Sequence, residues 1–136
     1  MRVSDEQVLQ HIIGYCEQVK KAVDRFGENY ETFATDEVYQ NAVSMPIMQI
    51  GELTKKLSPA FRTATEREFH WKAIAGMRDR YAHGYLEMDP VKIWDTAVAD
   101  IPVLRQQCET ILDQIYQLEQ EEALEEERER EDGPEL

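Results

Sequence analysis

Residues 94–118 read WDTAVADIPVLRQQCETILDQIYQL, and apolar side chains recur in them every seven positions. Two series interleave along this stretch: Trp94, Ile101, Cys108 and Ile115, and then Ala97, Leu104, Ile111 and Leu118. Positions seven apart share one face of an α-helix, so the two series predict a long helix with an apolar seam. A seam of four heptads favours the core of a helical bundle over a free coiled coil. Pro102 lies within the seam and is expected to bend the helix.

Two earlier helices follow from periodicity and capping signals. The first is predicted to begin at the N-cap residue Ser4, because acidic residues follow it and apolar residues then recur at steps of three and four. Gly27 and Asn29 are expected to end this helix. The second helix is predicted to run roughly from Asp36 to Leu57.

Ser58-Pro59 is interpreted as a break in the chain before a third helix. This third helix is predicted to start at about Glu66 or Trp71 and to end at Ala82. The pair Asp89-Pro90 then combines an N-cap residue with proline at the first helical position, which predicts the start of the seam-bearing fourth helix. The sequence shows no pattern typical of β-strands and no internal repeat. We therefore predict an all-α, up-and-down helical bundle of four to five helices.

The negative charge of the chain is concentrated at its C-terminal end. The net charge is −13, and residues 119–136 hold ten acidic residues against two arginines, a balance of −8. We predict a helical domain over residues 1–118 and an acidic, solvated tail over 119–136 that extends the helix for a few turns and then frays. A basic field over the whole surface, typical of non-specific nucleic-acid binders, is excluded.

The cysteine and histidine content argues against metal centres and disulfides. Cys16 and Cys108 lie far apart among apolar neighbours, so both are predicted to be buried free thiols. No cysteine or histidine pair has metal-ligand spacing, and we expect no structural metal. The N-terminus lacks a signal-peptide pattern and no apolar run could span a bilayer, which favours a cytoplasmic protein without membrane contact.

Residues 71–85, WKAIAGMRDRYAHGY, concentrate the side chains suited to chemistry. His83 could transfer protons near neutral pH, and Arg78 could hold a phosphate. Cleavage of RNA without a metal needs a base, an acid and a cation of this kind. The alternative is that His83 only caps a helix end. An ideal helix would separate Arg78 and His83 by roughly 140°, so either the helix distorts or a second copy of the chain completes the site.

The pattern Arg78-x-x-x-x-His83-x-Tyr85 resembles the motif of the HepT-type proteins of the HEPN superfamily. Trp71-Lys72 and Gly76-Met77 before the motif are also similar to this family, and the likeness covers about residues 4–118. The resemblance implies a HEPN helical bundle that forms a homodimer with the two motifs in a shared cleft. It also implies the toxin of a type II or type VII-like toxin–antitoxin system, a metal-independent endoribonuclease.

Carried over by position, the resemblance gives each motif residue a role. Arg78 would stabilise the phosphate, His83 would be the general acid and base, and Asp79 and Arg80 would support the site. Tyr85 would receive AMP from a minimal nucleotidyltransferase (MNT) antitoxin, which would use ATP and Mg²⁺, whereas the nuclease itself would need no cofactor. A second hypothesis is a non-catalytic HEPN module that docks a nucleotidyltransferase or holds a nucleotide.

Overall fold

The computed structural model describes residues 4–76 and 89–132, and these residues form helices joined by turns without any strand. The helices are α1 (Asp5–Phe26), α2 (Tyr30–Ala34), α3 (Glu37–Thr54), α4 (Pro59–Thr65), α5 (71–76, as far as it is described), α6 (Pro90–Asp95) and α7 (Ile101–Glu131). A π-helical turn, Thr96–Asp100, joins α6 to α7. The predicted all-α fold is confirmed.

Local capping interactions explain where the main helices start. Ser4 and Gln7 form a reciprocal capping box at the start of α1, and the Asp36 carboxylate accepts hydrogen bonds from two backbone amides at the start of α3. Gly27 follows α1 with φ +101°, a conformation that side chains larger than glycine rarely adopt. These three boundaries confirm the prediction, although α3 ends at Thr54, three residues earlier than predicted.

The sequence-based prediction missed two short helices. Asn29, at the predicted end of α1, instead caps α2 by accepting a hydrogen bond from the Thr32 amide at 3.1 Å. Ser58-Pro59 starts α4 in the same way as Asp89-Pro90 starts α6, with the serine hydroxyl accepting from the Phe61 amide. Helices of five and seven residues are too short to show an apolar periodicity, which is why both were missed.

The core lies where α1 packs against α3 and α7. It is built from aliphatic side chains of these three helices and from an aromatic cluster at the end of α1. In that cluster Phe33 and Tyr39 are fully buried, and their ring centroids lie 5.2 Å apart in an edge-on arrangement. The buried Tyr39 hydroxyl donates a hydrogen bond to the Gly27 carbonyl at 2.9 Å, which ties α3 to the end of α1.

The apolar seam contributes to the core over only part of its length. Four consecutive seam residues are buried, namely Ala97, Ile101, Leu104 and Cys108, whereas Trp94 before them is partly buried. Ile111 is partly covered, whereas Leu118 is 58% exposed, so the prediction that the whole seam is core was wrong at its end. The helix was expected to bend at Pro102. A π-helical turn lies directly before this proline, and in it the Ile101 amide donates a hydrogen bond to the Thr96 carbonyl. A wider turn of this kind accommodates a proline ring that lacks an amide hydrogen.

The acidic tail continues α7 as a helix. Helical structure extends to Glu131, and every described residue from Glu119 to Asp132 is exposed. Residues 119–131 thus add about three and a half helical turns, in agreement with the few turns expected, and residues 119–132 are solvated as predicted. The boundary of the helical domain at residue 118 stays a prediction.

Candidate functional site

The predicted site residues Arg78, Asp79, Arg80, His83 and Tyr85 all lie outside the described residues, as does the predicted third-helix end at Ala82. The structure does describe the elements on both sides of this segment. Residues 71–76 are helical before it, and Asp89 caps α6 after it. The predicted start of the third helix at Trp71 is therefore correct, and the alternative start at Glu66 is wrong because residues 66–68 form a turn.

The helix α5, which precedes the motif, is anchored to the bundle by Trp71. Its indole is only 4% exposed and stacks on Phe69, with ring centroids 4.1 Å apart and planes 12° apart. The indole Nε1 donates a hydrogen bond to the Thr65 hydroxyl at 2.7 Å. The indole ring is thus packed against a neighbouring ring and its N–H has a hydrogen-bond acceptor. These two contacts fix the start of α5 against α4.

A second contact joins this region to α7. The Gln107 side-chain amide donates to the Glu68 carbonyl at 2.8 Å, and Ile74 packs against the core. Because α7 also supplies the buried half of the seam, the turn before α5 is held by the same helix that completes the core. The chain therefore enters the motif segment from a fixed support.

The chain leaves the motif segment through an equally well-supported element. The Asp89 carboxylate accepts from the Val91 amide at 2.9 Å, and Pro90 occupies the first turn of α6. Ile93 is 4% exposed, and Trp94 lies 5.3 Å from Phe33 between ring centroids. Both flanks of the motif are thus built into the core, as a catalytic segment requires.

The segment that leads into the motif has a charge of opposite sign to that of the whole chain. Residues 55–80 hold seven of the 15 Lys and Arg residues and only three of the 28 acidic residues, a balance of +4. The remainder of the chain therefore carries −17. The net charge of −13 is a poor guide to the potential near the motif, because interactions between exposed charges fade beyond about 8 Å at physiological ionic strength.

An open groove of about 890 Å³ lies between α4 and α5, and we call it the α4 groove. The basic side chains Arg62, His70 and Lys72 line it, together with Phe69 and Trp71. Arg62 is half-buried, while His70 and Lys72 are exposed. The sequence indicated Lys72 only as a neighbour of the motif, and it did not indicate Arg62 or His70 as candidate binding residues. The charge balance of residues 55–80 was the signal that could have found them.

The remaining candidate chemistry is inert. Cys16 and Cys108 are buried free thiols, as predicted, and burial raises the pKa of each to about 12. Neither is therefore a thiolate nucleophile near neutral pH. Among residues 4–76 and 89–132, no group of histidine, cysteine and acidic side chains could hold a metal ion. None of the helices in this described part is long and apolar enough to cross a membrane.

The chain is similar to several proteins whose names describe them as ribonucleases. It is 36% identical over 104 residues to a protein of Caldanaerobacter subterraneus named "Putative RNase", covering 76% of this chain and 90% of that protein. It is 30% identical over 102 residues to the "Probable ribonuclease HepT" of Thermococcus cleftensis, covering 71% and 92%. A "Putative RNase" of Methanocaldococcus jannaschii is 34% identical over 88 residues, covering 63% and 70%.

No solved structure matches the chain. The protein family described as Ribonuclease HepT-like matches residues 12–111, which include most of α1, the motif segment and the buried half of the seam. Because this match spans most of the chain and two of these relatives cover more than two thirds of it, the chain belongs to the HepT-like family.

Proposed function

We propose that this protein is a metal-independent endoribonuclease and the toxin of a type II or type VII-like toxin–antitoxin system in the cytoplasm. One observation carries the proposal: the family match over residues 12–111 contains the intact Arg78-x-x-x-x-His83-x-Tyr85 pattern. The ribonuclease names of its relatives and the positive balance of residues 55–80 support it.

The proposed reaction is attack of a ribose 2′-hydroxyl on the adjacent phosphate. His83 takes the hydroxyl proton and returns a proton to the leaving 5′-oxygen, so that a 2′,3′-cyclic phosphate and a 5′-hydroxyl result. Arg78 stabilises the extra negative charge on the phosphate in the transition state. Asp79 and Arg80 orient these groups, and no metal is required.

A homodimer completes the proposed site. Arg78 and His83 stand five residues apart, a spacing that an ideal helix places roughly 140° apart, so two motifs in a shared cleft can pool their groups. Light scattering at micromolar concentration is the test. We expect the mass of a dimer, and a strictly monomeric yet active protein would exclude the shared cleft.

The catalytic proposal is tested with matched histidine variants. His83→Ala and Arg78→Ala should each reduce cleavage by about 10²–10⁴-fold, the usual contribution of acid–base catalysis, and should relieve growth inhibition. His11→Ala is the control, because His11 is exposed on α1, away from the motif in the sequence. Cleavage should persist in EDTA. Full activity of the His83 variant, or a strict metal requirement, would contradict the assignment.

The proposed partner is an MNT antitoxin that uses ATP and Mg²⁺ to attach AMP to Tyr85. The added phosphate would bring negative charge and acceptor oxygens next to the basic motif and would compete with RNA. Co-expression followed by peptide mass spectrometry should find AMP on Tyr85 and none in Tyr85→Phe. Tyr116, which is 62% exposed on α7, is an internal control, and AMP found there instead would reject the assignment.

A further inference from the structure

The α4 groove has a buried aromatic floor and a basic rim. Phe69 and Trp71 are 3% and 4% exposed, and the Trp71 indole is already stacked and hydrogen-bonded. Neither ring offers a free face on which a nucleobase could stack. A ligand in the groove would therefore contact mainly its basic side chains, chiefly Arg62 and Lys72.

Among the described residues, Arg62 and Lys72 have no acidic partner, so their charges can interact with a ligand. Between α1 and α7, Arg105 is paired with Glu17 at 3.1 Å and, within α7, with Glu109 at 3.0 Å. By contrast, Arg62 and Lys72 form no ion pair within the described part of the chain, even with Glu66, which lines the same groove. A half-buried guanidinium without a carboxylate partner is well suited to hold a phosphate group.

We propose that the α4 groove binds the sugar–phosphate backbone of single-stranded RNA next to the cleavage motif. This inference rests on the proposed function. Lys72 precedes Arg78 by only six residues, and the groove belongs to the segment whose charge is +4 in a chain of −13. Arg62 and Lys72 contact phosphates, with His70 beside them, and because no aromatic face is open the groove reads the backbone and not the bases.

An acidic protein surface is the competing occupant, since the antitoxin or an acidic helix such as residues 119–132 could also meet a basic groove. The position of the groove along the chain favours RNA. A substrate must reach the motif whenever the enzyme works, and phosphate contacts are what positions a nucleic acid without specifying its sequence. The experiment separates the two occupants.

The test measures binding of a short fluorescein-labelled oligouridylate to the full-length His83→Ala protein, in which cleavage is suppressed. Adding Arg62→Gln and Lys72→Gln should weaken binding about 5- to 20-fold and lower the slope of log affinity against log salt by about 1.4. The matched control is Lys21→Gln with Arg25→Gln, which removes one lysine and one arginine from the exposed surface of α1. Oligoadenylate should show the same loss as oligouridylate.

A second measurement uses the active protein with His83 intact. The groove variant should raise KM for RNA with little change in kcat, while its circular dichroism stays that of the parent. Lys72→Gln alone, at an exposed position, gives a variant whose folding is not in question and should show about half of the change in salt slope.

Two failures can be told apart. If the active protein does not cleave RNA, the proposed function fails, whatever the groove binds. If it cleaves RNA and the groove variant binds oligouridylate with unchanged affinity and salt slope, this inference is overturned. Loss of antitoxin binding with intact RNA binding would overturn it too, and would identify the groove as a protein interface.

Discussion

Replacing Thr65 with valine tests how α5 is held in front of the motif. Valine keeps the shape of threonine and removes the hydroxyl that accepts the Trp71 indole hydrogen at 2.7 Å and donates to the Phe61 carbonyl at 2.8 Å. An indole N–H that is left buried without an acceptor costs about 1–3 kcal/mol. With Trp71 only 4% exposed, water cannot replace the lost partner cheaply. We expect Thr65→Val to lower the free energy of unfolding by about 2 kcal/mol, or roughly 30-fold in the equilibrium constant.

A double-mutant cycle isolates this hydrogen bond from other effects. Trp71→Phe removes the donor, so Thr65→Val should cost about 1 kcal/mol less in that background, as measured by urea unfolding. Exchange of the Ile74 amide, which bonds to the His70 carbonyl at 3.0 Å, reports local opening of α5 and should speed up in Thr65→Val. Thr110→Val, at an exposed position of α7, is the control and should change stability by less than about 0.5 kcal/mol. Equal stability of the two valine variants, with unchanged exchange at Ile74, would refute the anchoring role of Trp71.

Three further predictions concern charge, thiols and the tail. A hydrogen bond with Glu119 raises the pKa of the Glu6 carboxyl, and burial and repulsion from the Glu119 charge raise it further. The folded protein therefore favours the protonated form of Glu6. The contribution of Glu6 to stability is present below its ordinary pKa of 4.5 and is lost as the pH rises through the raised pKa. Glu119→Gln should flatten this dependence in urea unfolding at several pH values, and an unchanged profile would contradict the pairing. Cys16 and Cys108 should resist a thiol reagent at pH 8 until the protein unfolds, whereas fast labelling of the native protein would show that they are accessible. Truncation after Gln120 removes the exposed helical residues 121–131 but should preserve the fold and the unfolding midpoint, and aggregation of the shortened chain would place the domain boundary further on.

Elements with long apolar periodicity and a capping residue were predictable from the sequence. Ser4 and Asp89 were each predicted as N-caps, and each accepts a backbone hydrogen bond as expected. Asp36 was predicted only as the approximate start of the second helix, and the structure shows that it is the N-cap of α3. The Ser58-Pro59 pair carries the same signal, but only seven helical residues follow it, and the pair was interpreted as a break. Short helices depend on tertiary contacts more than on their own pattern, and here the Ser58 hydroxyl donates to the Asp5 carboxylate across 53 positions at 2.6 Å.

The motif was found by its spacing, whereas the α4 groove could be found only from the fold. Arg78 and His83 stand in one short segment, so a pattern could identify them. Arg62 and Lys72 are ten residues apart on two helices, and they line one groove only because Trp71 stacks on Phe69 and bonds back to α4. Local charge balance indicates that such a region is basic. It does not indicate which side chains line a common surface.

The length of α1 sets how much of the seam becomes core. Arg105 of α7 pairs with Glu17 of α1, and Glu119 of α7 meets Glu6, so the two helices run antiparallel and α1 begins opposite the region of residue 119. After residue 119, α7 has no part of α1 beside it, and the described residues from 119 to 132 are all exposed. The heptad pattern continues to Leu118, but burial requires a partner surface, and Leu118 lies where that partner starts. Apolar periodicity therefore predicts the face of a helix that can be buried, and the length of the neighbouring helix decides how far that burial extends.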